Sequence, residues 1–375
     1  MTTEKDSKLI LDGHKLAWHK ERVEAWMAGE RIAPITMDFA LTRNCNYHCK
    51  YCYGMLQENE RKPLHKDAIY RFLDDAAEIG VKGIGLVSDG ESTCSPHFYD
   101  VIKRGKENGI DMATGTNGAL LREDKLEEML SNLTYIRFNI SAGEPERYRE
   151  IHGCKPGDFE KVKNTITTSS RIKKEKNLDV TIGLQMVFTP DMVDQLIPLA
   201  KYGREVGADY LVIKHCSDDE QGTLGVKYDE YFDERIQTEI QKAEEFSTED
   251  YNVIAKWSKI LSDGKRKYTQ CYGPPFMIQL SGSGLVAPCG MLFNERYKEK
   301  FHIGNIAEES FKQIWESDRY WEVMDRIASP EFNAQKDCGT LCFQHKVNEY
   351  LWDLKQGDIE LMDGKGKPPA HVNFI

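Results

Sequence analysis

Cys45-Asn-Tyr-His-Cys49-Lys-Tyr-Cys52 places three thiols within eight residues at the spacing C-x3-C-x2-C. The stretch follows an alternating apolar run (Ile35, Met37, Phe39, Leu41) that reads as a strand entering a loop. Three thiolates on one loop can hold three irons of a cubane cluster and leave the fourth open. Iron–sulfur clusters are held by thiolates, and an open coordination position separates a chemically active metal site from a closed one. Zinc knuckles instead pair their cysteines as C-x2–4-C, with a second pair or histidines further on. Nothing nearby completes such a set, and His48 lies inside the loop, poorly placed to join the three thiols around one ion.

The chain has 375 residues, enough for one α/β barrel plus an appendage without disulfide staples. Its polar start, Met1-Thr-Thr-Glu-Lys-Asp, lacks the apolar core of a secretory signal. No apolar run approaches the roughly 18 residues of a membrane span. Ten cysteines in such a chain read as metal sites in a reducing, cytoplasmic setting. A net charge of −11 argues against nucleic acid as a partner, although a locally basic pocket for an anionic substrate stays compatible with it.

Working outward from the cysteine loop, residues 1–33 read as a leader with an amphipathic helix from His14 to Gly29, apolar at Leu16, Val23 and Trp26. Residues 34–217 alternate short apolar strands with helical stretches, the pattern of repeated βα units and a parallel sheet. The strands predicted are Thr36–Leu41, Gly83–Ser88, Met112–Thr116, Tyr135–Ser141, Val180–Phe188 and Tyr210–Lys214, with helices such as Pro96–Asn108 and Phe159–Lys174 between them. Residues 218–262 read as a polar helical linker. In 263–375, Ser281-Gly-Ser-Gly284 between two apolar runs signals a hairpin, covered by one helix over Phe311–Ile327.

The segment from Leu41 through Cys52-Tyr-Gly54 resembles the signature of the radical S-adenosylmethionine (SAM) superfamily. That resemblance implies a partial (β/α)6 barrel in the α/β class. It also implies a [4Fe–4S] cluster on Cys45, Cys49 and Cys52 whose open iron chelates SAM, and reductive cleavage of SAM to a 5′-deoxyadenosyl radical. An electron donor of the flavodoxin or ferredoxin type is the expected protein partner. Ser88-Asp-Gly90-Glu91 resembles the family's Gly-Gly-Glu stretch at the SAM amino group, with Asp89 replacing the first glycine. Asn117, Ser141 and Gln185 fall on strands or strand ends where the family binds SAM or substrate. Each also has a plain structural reading, since Asn-Gly is a turn signal. Tyr51 resembles the aromatic whose backbone lies near adenine, with core packing as the alternative.

Cys271, Cys289, Cys338 and Cys342 form a second set, in which C-x12-G-x4-C precedes Cys338-Gly-Thr-Leu-Cys342. The pattern looks like the SPASM/twitch extension of the family and implies one auxiliary [4Fe–4S] cluster, with structural zinc the competing reading. It is especially similar to twitch-type dehydrogenases acting on aminocyclitol alcohols. Dehydrogenation of a sugar, aminocyclitol or nucleotide-sugar is therefore the expected reaction. Of the other cysteines (Cys94, Cys154, Cys216), Cys154 and Cys216 sit at expected strand-end loops, where a thiol could return hydrogen to a carbon radical, as an epimerase needs. Lys214 and His215, ending the sixth strand, are candidate bases. A peptide-modifying enzyme with a separate recognition protein and a non-catalytic iron–sulfur protein are the alternatives.

Overall fold

The computed structural model describes residues 9–340, 342 and 344–375, so the first eight residues of the expected leader lie outside it. One ten-stranded sheet organises the chain. Its first six strands are β1 (Thr36–Phe39), β2 (Gly83–Leu86), β3 (Asp111–Thr116), β4 (Tyr135–Asn139), β5 (Thr181–Phe188) and β6 (Tyr210–His215). All six run parallel in chain order. They start and stop within two residues of the sequence expectation, because each is a buried apolar run flanked by turn residues.

Two features depart from that expectation. The linker is not wholly helical: after the helix Glu234–Glu244, the segment β7 (Asn252–Ala255) adds a seventh parallel strand beside β6. Val253 and Ala255 face the core while Asn252 and Ile254 are half-buried. The carboxyl-terminal hairpin, β8 (Met277–Leu280) and β9 (Leu285–Ala287), does not form a separate sheet. β8 pairs parallel with β1, β9 runs antiparallel to it, and the short β10 (Gly304–Asn305) pairs with β9. Cys289, just after β9, is thereby carried on the same sheet as the first cysteine set. A third difference is local. The expected helix Phe311–Ile327 is two, because Ser317 leaves helical backbone and its hydroxyl accepts from the Tyr320 amide to cap a new start.

Both ends of the chain close the barrel from below. Leu16 and Val23 of the leader pack with Phe276 and with Val347 and Leu351 of a helix His345–Gln356, forming a second small core. The last residues lie under the strand starts. Tyr135 meets His371 and Phe374 at ring separations of 4.6 and 4.9 Å, and Thr36 donates to the Asn373 carbonyl at 2.7 Å.

Three segments meet at one buried ion pair. Arg43, just before the first cysteine, places Nε 2.9 Å from Asp89 Oδ2, with side chains 5% and 0% exposed. The Arg43 guanidinium also donates to the carbonyls of Gln57 (2.8 Å) and Asn59, while Asp89 accepts from the Ser281 hydroxyl and the Gly282 amide (2.8 Å). The backbone at Thr42–Arg43 is pinched between Gly90 and Gly282. A Cβ on either glycine would lie within 2.5 Å of that backbone, so only glycine fits there. The departure at Asp89 thus has a structural role: it ties the cysteine loop and the strand-two turn to the hairpin.

Removing one partner leaves the other charge buried and uncompensated, at a cost of about 3–5 kcal/mol. Arg43→Met is therefore expected to lower the urea midpoint strongly, and Arg43→Met with Asp89→Asn to recover part of the loss. A double variant no more stable than the single one would remove the pair from this role.

Candidate active site

A cavity of about 590 Å³ opens over the carboxyl ends of the strands and continues down to Thr36, Tyr135 and Tyr210 near their starts. In parallel barrels, functional residues gather at the carboxyl ends because the loops converge there. Cys45, Cys49, Cys52 and Tyr51 line the cavity from the loop after β1, and Cys289 and Cys342 line it from the opposite, carboxyl-terminal part of the chain. Cys271 and Cys338 are off the wall, yet the charged forms of Cys271, Cys289 and Cys338 are each disfavoured by other thiols of the set, Cys342 among them. Among the described residues, no three His, Cys, Asp or Glu side chains converge as tightly as the shell of a single metal ion.

Gly90, Glu91, Asn117 and Gln185 are on the wall. Glu91 accepts from the hydroxyls of Thr93 (2.7 Å) and Thr116 (2.8 Å) through one oxygen and from the Asn117 amide (2.8 Å) through the other. Asn117 in turn donates to Asn46 at 2.9 Å, which fastens the end of β3 to the cysteine loop. Gln185 donates to Asn139 across the β4–β5 pair at 2.9 Å. Ser141 departs from expectation. It is fully buried and off the wall, and its hydroxyl accepts from the Val187 amide at 3.1 Å, satisfying β5 where β4 ends. Cys154 and Cys94 are also off the wall, whereas Lys214, His215 and Cys216 are all on it.

His152, a fully buried residue not singled out in the sequence, touches the first cysteine set. The Ser141 amide donates to its Nε2 at 3.0 Å, so Nε2 is the acceptor and the ring proton sits on Nδ1. Nδ1 lies 3.3 Å from Cys49 Sγ and therefore donates to it. Burial drives the imidazole pKa down to about 3, which keeps this neutral tautomer over the ordinary pH range. The only local signal was its place in Ile151-His-Gly-Cys154. Tyr53, also missed, places a buried hydroxyl without a partner on the wall beside the second cysteine set.

Burial first, then neighbouring acidic groups and thiols, pushes the Cys45 thiol up to about 11 and Cys338 up to about 12. Coordination to iron removes that penalty, since a metal-bound thiol is deprotonated outright. Three thiols on one loop and four gathered across the cavity therefore fit two clusters.

Residues 39–195 match the radical SAM superfamily, and residues 271–343 match the SPASM iron–sulfur cluster-binding domain. The chain belongs to the radical SAM superfamily. Its cofactors are SAM and two [4Fe–4S] clusters, one in each domain. The AdoMet-dependent heme synthase of Methanosarcina barkeri is 23% identical, over 84% of this chain and 90% of that protein. The tungsten-containing aldehyde ferredoxin oxidoreductase cofactor-modifying protein of Pyrococcus furiosus is 24% identical, over 75% and 80%. Streptococcus suis SuiB bound to S-adenosylmethionine superposes with a TM-score of 0.61 at 16% identity, over 81% of this chain and 71% of that one. Native anSMEcpe with bound AdoMet superposes with a TM-score of 0.56 at 16% identity, over 86% and 95%. At these identities the structural likeness is one of fold. No helix among the described residues of this radical SAM enzyme is long and apolar enough to cross a membrane.

Hydrogen bonds to cluster sulfurs raise reduction potentials by stabilising the more negative state. His152→Phe is expected to lower the midpoint potential of the amino-terminal cluster, read by EPR-monitored titration, while His152→Gln, which keeps a donor, falls between. An unchanged potential in His152→Phe would show that the contact does not reach the cluster.

Proposed function

We propose that this radical SAM enzyme oxidises a sugar-like small molecule by dehydrogenation. One observation carries the reading: residues of both cysteine sets line a single cavity, with Lys214, His215 and Cys216 on the same wall. In this proposal Cys45, Cys49 and Cys52 hold the SAM-binding cluster, and Cys271, Cys289, Cys338 and Cys342 hold the auxiliary one. When bound, SAM and its cluster supply a 5′-deoxyadenosyl radical, and the auxiliary cluster supplies an electron acceptor within reach of the substrate. Gly90, Glu91, Asn117, Tyr51 and Gln185 position SAM or substrate against the cysteine loop.

The remaining work is proton transfer. Burial, then the nearby charges of Arg137 and Lys259, bring Lys214 down to about 7, so its amine is neutral above that pH and can take the proton of a substrate hydroxyl. His215 is 1% exposed, and among the described residues neither of its ring nitrogens has a partner, so it can orient that hydroxyl. Product formation is expected to rise as pH increases through about 7, and Lys214→Met to lose that dependence along with most of its rate. A pH profile unaltered in Lys214→Met would exclude it as the base.

A second reading, epimerisation, is favoured by Cys216. Its thiol faces the cavity and burial pushes it up to about 12, so it remains an S–H able to donate hydrogen. The two readings separate by product analysis. Dehydrogenation gives a product lighter by a pair of hydrogens and insensitive to Cys216→Ala. Epimerisation gives a product of unchanged mass in ordinary water and one unit heavier in D2O, lost in Cys216→Ala. Absence of 5′-deoxyadenosine from the reduced enzyme with SAM would contradict both.

A further inference from the structure

The lower half of the cavity gathers basic side chains that the described residues do not pair directly. Arg137 on β4, Lys214 on β6 and Lys256 just after β7 all reach its wall, with Lys259 and Lys15 beside them. Lys259 donates to the Cys342 carbonyl at 2.6 Å, and Lys15 donates to the Phe374 carbonyl. The side chains of Arg137, Lys214 and Lys256 form no ion pair and donate no hydrogen bond among the described residues, and Arg137 Nε is buried without any partner.

Two carboxyl groups act on this cluster from beyond ion-pair distance, Asp38 on Arg137 and Lys214 and Asp12 on Lys256 and Lys259. Asp38 on β1 is pushed up to about 6, chiefly by burial, and accepts from the Gln279 amide at 3.2 Å. Asp12 is engaged by the hydroxyl of Ser258 at 2.6 Å and by its amide at 3.2 Å. Burying an unpaired charge is expensive. A lysine can escape by losing its proton, and both Lys214 and Lys256 are displaced that way, by burial first and then by neighbouring cations. A guanidinium has no such escape. Asp38 reaches it only at a distance, so a direct partner for the guanidinium is left to a bound molecule.

We propose that Arg137 and Lys256 form an oxyanion-binding subsite, and that the substrate carries a carboxylate or phosphate docked against it. This deepens the proposed function and rests on its assignment of the cavity to substrate. The planar fork of Arg137 suits either oxyanion, each of which can accept two parallel N–H bonds. Arg137 lies two residues deeper along β4 than Asn139, below the level of Gln185, while the first cysteine set lies at the strand ends above. The anion would thus anchor the end of the substrate remote from the reacting carbon. Remote binding energy of that kind fixes the geometry of hydrogen abstraction. Among sugar-like molecules, it selects acidic or phosphorylated members over neutral ones.

The test is calorimetric titration of the anaerobically reconstituted, SAM-saturated enzyme with inorganic phosphate, with succinate, and with neutral succinamide. SAM saturation keeps its own carboxylate site filled. At least one anion is expected to bind saturably and succinamide not to bind. Arg137→Ala and Lys256→Met should each weaken the anion by about tenfold or more, the scale of a lost charged hydrogen bond, with Arg137→Lys in between. Phosphate alone binding identifies a phosphorylated substrate, and succinate alone a carboxylic acid. Binding of neither anion, or affinities unchanged in both Arg137→Ala and Lys256→Met, overturns the subsite. Iron content and visible spectra of each variant report folding and cluster loading separately. Anion binding by a wild-type enzyme that never cleaves SAM would keep the subsite and remove the radical reading. SAM cleavage with no anion bound would do the reverse.

Discussion

The buried contact between Arg43 and Asp89 is the constraint on which the site's geometry depends. It joins the residue two before the first cysteine to the turn that follows β2, and Ser281 and Gly282 add the hairpin to the same carboxylate. A buried pair of this kind is weak as a source of net stability but strict about position, because neither charge tolerates losing the other. With glycines on both sides of Thr42–Arg43, the loop bearing Cys45 has little freedom to move relative to β2 or β8. The two cysteine sets, far apart in sequence, consequently face one cavity.

Around that fixed loop, the electrostatics divide by depth. The upper wall carries thiols and the neutral His152, whose tautomer is set by the Ser141 amide. The lower wall carries cations with few acceptors. Low dielectric strengthens both effects: it suppresses ionisation of thiols that lack a metal, and it lowers lysines that lack an anion. Both halves are therefore organised for charged ligands, iron above and an oxyanion below.

Much of this was legible in the residues alone. The six barrel strands were visible because each is a buried apolar run, and the C-x3-C-x2-C loop carries its chemistry in its spacing. β7 escaped notice because Asn252-Val-Ile-Ala255 is only four residues long and follows an acidic helix, so pairing with β6 rather than local pattern makes it a strand. The break at Ser317 was hidden by an apolar period that runs on through both helices. Ser141 was misplaced for a related reason: a hydroxyl at a strand end can serve a ligand or a neighbouring strand, and here the Val187 amide takes it. Arg137 did leave a trace, since Tyr135, Arg137 and Asn139 alternate as polar side chains on a buried strand. That trace gains meaning only when the sheet curves to place them inside.

In the proposed arrangement one cavity serves two clusters held by two separate cysteine sets. Iron and sulfide counted per chain after anaerobic reconstitution test it most directly, for wild type and for a variant with Cys45, Cys49 and Cys52 all changed to Ala. About eight irons should fall to about four, with the remaining cluster lost only when the second set is also changed. About four irons falling to none, with zinc on the second set, would contradict it.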